Sequence, residues 1–165
     1  PQLAGVALTM NLFAEMRKNP RVIGVKNSSM PVQDIQMFKQ EGGEDYIIFN
    51  GPDEQFISGL AIGAEGGIGG TYGAMPELFL TLEEYVKAGE LEKARKLQYK
   101  VNEIIYKLCS AHGNMYGVIK AVLKINEGIE LGGVREPLTN LIESDKAVVR
   151  EAAQMIRDTV DGQKV

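Results

Sequence analysis

The chain has 165 residues, 44% hydrophobic and 24% charged, with a formal net charge of -4 and an isoelectric point near 5.1. These values describe an ordinary globular chain able to bury one sizeable core, and Lys and Arg dispersed among acidic residues leave no basic footprint for nucleic acid. No apolar run approaches the roughly 20 residues of a membrane span, no secretory pattern opens the chain, and the single Cys109 excludes an internal disulfide, so a reducing, cytoplasmic setting is expected.

Pro1 to Val6 reads as the loop after a strand, so the chain is expected to open partway through a fold. Thr9 is placed to cap a short helix with Leu12, Phe13 and Met16 on its apolar face, and Asn19-Pro20 stops it, because proline disfavours helix at the residue before it. Val22-Ile-Gly-Val-Lys26 is an apolar run of strand length that ends on a lysine and is followed by Asn27, Ser28 and Ser29. Pro31 suits a first helical turn, with Val32, Ile35 and Phe38 inward and Gly42-Gly43 as the stop. Tyr46 to Asn50 is a second buried strand. Gly51-Pro52-Asp53-Glu54 then opens a helix carrying Phe56, Ile57, Leu60 and Ala61, ended by Gly63. A third strand, Gly66 to Tyr72, is so poor in side chains that another body must approach its backbone closely. The strands begin at Val22, Tyr46 and Gly66, separations of 24 and 20 residues that suit βαβ units of a parallel sheet.

After Tyr72 only helices are predicted. Pro76 to Ala88 ends at Gly89, and Glu90 to Ser110 carries Leu91, Ala94, Leu97, Val101, Ile104, Ile105 and Leu108 at helical spacing. Cys109 is read as a small buried hydrophobe beside that stripe. Met115, Val118, Ile119, Val122 and Ile125 mark a third helix, and Ser144 is placed to cap a last one with Val148, Val149, Ala152, Met155 and Ile156 inward. Asp161 to Val165 reads as a frayed tail.

Sites in parallel α/β sheets lie at the carboxyl ends of strands. Lys26, residues 50 to 54 and residues 70 to 72 all map to that rim. A lysine ending a buried strand has its stem desolvated, a setting that favours the neutral, nucleophilic amine; the plainer alternative is a solvated strand end. Ser28 can hold a bound carboxylate or carbonyl, or simply serve the next helix. Asp53 and Glu54 suit a first helical turn on dipole grounds, yet they also sit where substrate hydroxyls would meet them. The glycines from Gly63 to Gly73 do not make a dinucleotide fingerprint, since a start at Gly67 and Gly69 places Tyr72 where the last glycine belongs. The lone His112, between two helices, is a turn residue rather than half of a metal site or triad.

Three ordered segments carry a resemblance: Val-Ile-Gly-Val-Lys26-Asn-Ser-Ser, Phe49-Asn-Gly-Pro-Asp-Glu54, and Gly63-Ala-Glu-Gly-Gly-Ile-Gly-Gly-Thr-Tyr72. In order and spacing the chain resembles the second half of the dihydrodipicolinate synthase/N-acetylneuraminate lyase family. The resemblance implies an α/β fold, the C-terminal portion of a (β/α)8 TIM barrel with strands 6 to 8 in residues 1–88, followed by a C-terminal helical extension in residues 89–165. It implies that Lys26 forms a Schiff base with pyruvate or another 2-oxo acid, that Ser28, Gly51, Asp53, Glu54 and Gly70 bind substrate, and that no cofactor or metal is required. The family's Tyr-Asn-Ile/Val-Pro motif would end at Pro1. Its tyrosine and the loop that grips the 2-oxo acid carboxylate would therefore belong to an N-terminal half outside the chain. That half is an expected partner, with a homo-oligomer as the expected assembly and no nucleic acid or membrane partner.

Within the family, Gln2-Leu3 departs from the Ser-Arg of lysine-pathway synthases. Pro1, Leu3, Gly5, Val6 and the pair Asp53-Glu54 resemble the lyases that act on sialic acid, whereas Pro52 and Gly70 depart from them. A retro-aldol lyase, a synthase or sugar-acid dehydratase of the same scaffold, and a non-catalytic fragment docked on a partner half are the readings to separate. A dinucleotide-dependent oxidoreductase stands further off.

Overall fold

The computed structural model describes residues 5–163, so the readings placed on Pro1, Gln2, Leu3, Lys164 and Val165 lie outside the described residues. The chain forms two compact units that meet in sequence at Gly69 and Gly70.

The first unit is a three-stranded parallel sheet with helices between its strands. Helix α1 spans Met10–Met16, strand β1 Gly24–Asn27, α2 Gln33–Gly42, β2 Ile47–Asn50, α3 Phe56–Ala61 and β3 Gly66–Gly67. The strand order is β1-β2-β3, in the register Gly24↔Ile47, Val25↔Ile48, Lys26↔Phe49 and Asn27↔Asn50, with Asn50↔Gly67 next. Side chains alternate across a strand, so Val25 and Ile48 share one face while Lys26 and Phe49 share the other. The helices cover the Ile48 face. Phe13, Ile35, Phe38, Tyr46, Ile48 and Ala64 form the buried cluster there, with Leu8, Met10, Val22, Val25 and Ile62 packed against it. The Phe13 ring packs tilted against Phe38 at 4.9 Å and meets Tyr46 edge-on at 5.3 Å between ring centroids.

Thr9 caps α1 by accepting from Leu12 N at 3.3 Å. Its apolar face is narrower than the sequence spacing suggests, because Leu12 and Met16 are exposed and only Phe13 is buried. Strand β3 is only two residues long, and the segment after Pro52 begins as a 3-10 turn, Asp53–Gln55, before α3. At the amino end of β2, Lys39 pairs with Glu65 and donates to the carbonyls of Glu44 at 2.9 Å and Tyr46 at 3.0 Å, while Ile48 N donates to Glu65 Oε2 at 2.7 Å. Burial pushes the Glu65 carboxyl up, but the Lys39 ammonium and the Ile48 N–H outweigh it and hold the group below the usual range.

The second unit is helical: α4 Pro76–Lys87, α5 Leu91–Leu108, α6 Met115–Glu127 and α7 Asp145–Asp161. Helix α7 packs on α5 and α6, and α4 packs on α5. The predicted stripes supply much of its core, with Ala94, Leu97, Val101, Ile104, Leu108, Val118, Val122, Val149, Ala152 and Ile156 buried, and Leu78 and Leu82 of α4 join them. Two predicted stripe residues are exposed instead: Leu91, the first residue of α5, and Ile125, near the end of α6. Gly89, at φ +75°, adopts the left-handed conformation that turns the chain between α4 and α5.

Two expectations in this unit are corrected. Cys109 is exposed, because α5 ends at Leu108 and the chain leaves the stripe at its C-cap; its Sγ lies 3.5 Å from Met115 Sδ. Ser144 occupies the N-cap of α7 but makes no side-chain cap bond there. The neighbouring Asp145, 1% exposed, accepts instead from the backbone N–H groups of His112 at 2.9 Å, Gly113 at 3.0 Å and Ile142 at 3.0 Å. The Ile142 N–H, opposed in part by burial and helped by the His112 and Gly113 N–H groups, holds its carboxyl at about 2. His112 lies in the exposed turn predicted for it, with Nδ1 3.2 Å from Asp145 Oδ1.

Candidate active site

The carboxyl ends of β1 and β2 bring five of the six predicted site residues together in the first unit. Lys26 is the third residue of β1, and Ser28 follows the strand. Gly51 and Pro52 follow β2, with Asp53 and Glu54 in the 3-10 turn. The sixth, Gly70, opens the second unit, where a Cβ would meet Met115 Cε at 3.1 Å and the Tyr116 ring and hydroxyl at 3.1 and 3.2 Å.

The expected desolvation of Lys26 is not supplied by the described residues. Its side chain is exposed, because the helices of its unit cover the opposite sheet face, the one bearing Val25 and Ile48. Its Nζ has no hydrogen-bond or ion-pair partner among the described residues, so the amine is available to a carbonyl. Its sheet partner Phe49 supplies an aromatic neighbour on the same face.

Ser28 and Gly51 are in close contact. A Cβ on Gly51 would fall 2.3 Å from Ser28 Oγ and 2.5 Å from Asn27 O, so only glycine fits, and Gly51 N donates to Asn27 O at 2.7 Å. This bond ties the two strand ends together beside Lys26. Ser29, the other hydroxyl, is engaged locally: it donates to Asp34 Oδ2 at 2.6 Å, and its backbone N–H donates to Asn27 Oδ1 at 3.2 Å. Ser28 is thus the hydroxyl that stands exposed at the rim. Asp53 is buried at 7% exposure while Glu54 is exposed, so the two carboxylates are differently presented.

Sequence reasoning passed over two residues at this rim, Asn27 and Asn50. Both end their strands, are paired in register, and are buried at 6% and 0% exposure. The signal was present in the sequence: Val-Lys-Asn and Ile-Phe-Asn each end an apolar run on the same amide. Among the described residues, no group of three or more His, Cys, Asp or Glu is placed to hold a metal ion, and no helix is long and apolar enough to cross a membrane. The arrangement offers a free primary amine, a neighbouring hydroxyl, a glycine-tight backbone and an acidic turn. A primary amine at such a rim is a group that can condense with a carbonyl compound once water is excluded around it.

Comparison with known proteins identifies the family. The profile of the Dihydrodipicolinate synthetase family matches residues 1–156. The chain is 75% identical over 158 residues to an N-acetylneuraminate lyase of Mediterraneibacter gnavus, covering 96% of this chain and 50% of that protein. It is 37% identical over 144 residues to the N-acetylneuraminate lyase of Rhizobium meliloti, covering 87% of this chain and 47% of that one. Among solved structures, a catalytic-lysine mutant of the sialic acid aldolase of Ruminococcus gnavus superposes with a TM-score of 0.96 at 73% identity, covering 98% of this chain and 53% of that chain. The chain spans about half the length of the curated relatives it matches.

Proposed function

The chain belongs to the dihydrodipicolinate synthetase family, and from that premise we propose that it is the C-terminal half of a Schiff-base-forming, pyruvate-dependent aldolase of the N-acetylneuraminate lyase type. In this reading β1, β2 and β3 are the sixth, seventh and eighth strands of a (β/α)8 barrel. Residues 1–88 complete the barrel and residues 89–165 form a C-terminal helical extension. The full-length protein adds the N-terminal half, assembles as a homo-oligomer and works in the cytoplasm.

Lys26 is the nucleophile. Its neutral amine adds to the 2-carbonyl of a 2-oxo sugar acid and water leaves, giving an iminium. The bond between carbons three and four then breaks: the carbon-four hydroxyl gives its proton to a base of the N-terminal half and becomes the departing aldehyde, while the electron pair of the bond passes to the iminium as an enamine. Protonation and hydrolysis release pyruvate and restore the amine. The iminium is itself the electron sink, so the reaction calls for no metal or cofactor. Ser28 and Gly51 hold the 2-oxo acid end, Asp53 and Glu54 accept from hydroxyls of the sugar tail, and Gly70 is assigned to substrate binding by the family resemblance. Because Lys26 is exposed in residues 5–163, catalysis is assigned to the complete barrel, whose remaining strands would exclude water around the amine.

The unclaimed amine of Lys26 at a strand end, in a chain so close to an aldolase known with its catalytic lysine mutated, carries this reading. Borohydride reduction of the full-length protein with pyruvate is expected to add a pyruvate-derived mass at Lys26; absence of that adduct overturns the assignment. Product analysis separates the lyase from its family alternatives, since a dehydratase would release no aldehyde and a synthase would consume one.

A further inference from the structure

We propose that Asn50 is a positioning residue that sets the sugar-acid specificity of the site by fixing the Pro52–Glu54 turn; this rests on the lyase reading above. Asn50 ends β2 at 0% exposure, and its Nδ2 donates to Pro52 O at 2.7 Å. The same carbonyl accepts from Gln55 N at 3.3 Å, the bond that closes the 3-10 turn Asp53–Gln55. The peptide plane that leads directly into Asp53 is therefore held from two directions, by an amide anchored in the sheet and by the turn itself.

The amide is held as tightly on its other side. A Cβ on Gly59 would fall 2.7 Å from Asn50 Oδ1, 2.8 Å from its Cβ and 2.9 Å from its Cγ, so α3 comes within contact distance only because residue 59 is glycine. Oδ1 has no hydrogen-bond partner among the described residues. Burying an amide is costly unless it is hydrogen-bonded, and the bond that the Asn50 side chain donates goes to the carbonyl preceding Asp53. Lys26 lies on the neighbouring strand and on the other sheet face. Asn50 thus acts on the acidic turn without touching the amine, and the sugar end of the site can vary independently of the imine-forming end.

Asn50→Ala and Asn50→Asp remove the donor directly; Gly59→Ala displaces the amide from behind and serves as the second route should Asn50→Ala fail to fold. In the full-length protein, each is expected to raise KM for N-acetylneuraminate about tenfold while kcat stays within about threefold, the pattern of lost binding shared by ground and transition states. Borohydride trapping of pyruvate at Lys26 should keep its wild-type rate in all three. Variants that leave KM unchanged, or that lose trapping and kcat in step with KM, overturn the positioning role while the lyase reading stands. A wild-type protein that traps no pyruvate overturns both.

Discussion

The two units of the chain treat their apolar surfaces in opposite ways. The helical unit from Gly70 onward buries stripes on four long helices against one another, and its charged residues pair along exposed faces, as Lys96 with Glu92 and Lys100 with Glu103. The sheet unit covers only one face, with Phe13, Ile35, Phe38 and Ile48 inside, and presents Lys26 and Phe49 on the other. The lesson is that a helix can complete its burial with local neighbours, whereas a parallel sheet with both faces buried needs chain from far away in sequence. Chemistry is expected on the side where that burial is left to the rest of the protein.

The sharpest way to break this contrast is at Lys26. Lys26→Arg or Lys26→Met in the full-length protein should abolish pyruvate trapping and lower lyase turnover by about a thousandfold or more, with the melting temperature close to wild type because the side chain takes no part in the helix-covered core. Retained turnover would remove the functional half of the comparison. Next come the cores themselves. Phe13→Ala in the sheet unit is expected to cost about 3–5 kcal/mol, and Leu108→Ala in the helical unit about 2–5 kcal/mol, in chemical denaturation. A mild Phe13→Ala would show that the sheet unit draws little from its covered face.

Asp145 tests the helical unit through pH. Its carboxyl, held at about 2 in the fold against about 3.9 in an unfolded chain, stabilises the fold fully above roughly pH 4. That contribution fades as pH falls toward 2. Thermal melts should show Asp145→Asn several degrees less stable than wild type at neutral pH, with the difference shrinking on acidification; a gap independent of pH would place its cause elsewhere. The smallest effect is expected on the surface: Lys100→Ala should change stability by no more than about 0.5 kcal/mol, since an exposed pair within one helix contributes little. A larger loss would mean that the outer charges of this unit do more than solvate it.

Helix existence in the second unit could be read from periodicity alone, and Pro76, Gly89 and the α5 stripe mark their boundaries to within two residues. In the first unit the order of strands and helices and the place of Lys26 near a strand end were legible from Val, Ile and Phe runs punctuated by glycine, but the strand read from Gly66 to Tyr72 is only Gly66–Gly67. What the sequence did not show was environment. Cys109 stands one residue beyond its helix, a shift that reverses burial without altering periodicity. Ser144 looked like a cap, but its neighbour's carboxylate is drawn instead to three N–H groups, two of them more than thirty residues away in sequence. Asn27 and Asn50 were passed over for a related reason: an amide at a strand end looks like a turn residue until the register places the two side by side and buried.

On the aldolase reading proposed above, the glycine at position 51 bears on any attempt to redirect the full-length protein toward new aldehydes. With Ser28 Oγ and the Asn27 carbonyl both under 3 Å from a would-be methyl group, a randomised library spends its diversity there on clones that cannot keep the two loops joined. Productive variation has to come from the outward side chains of the following turn, Glu54 above all.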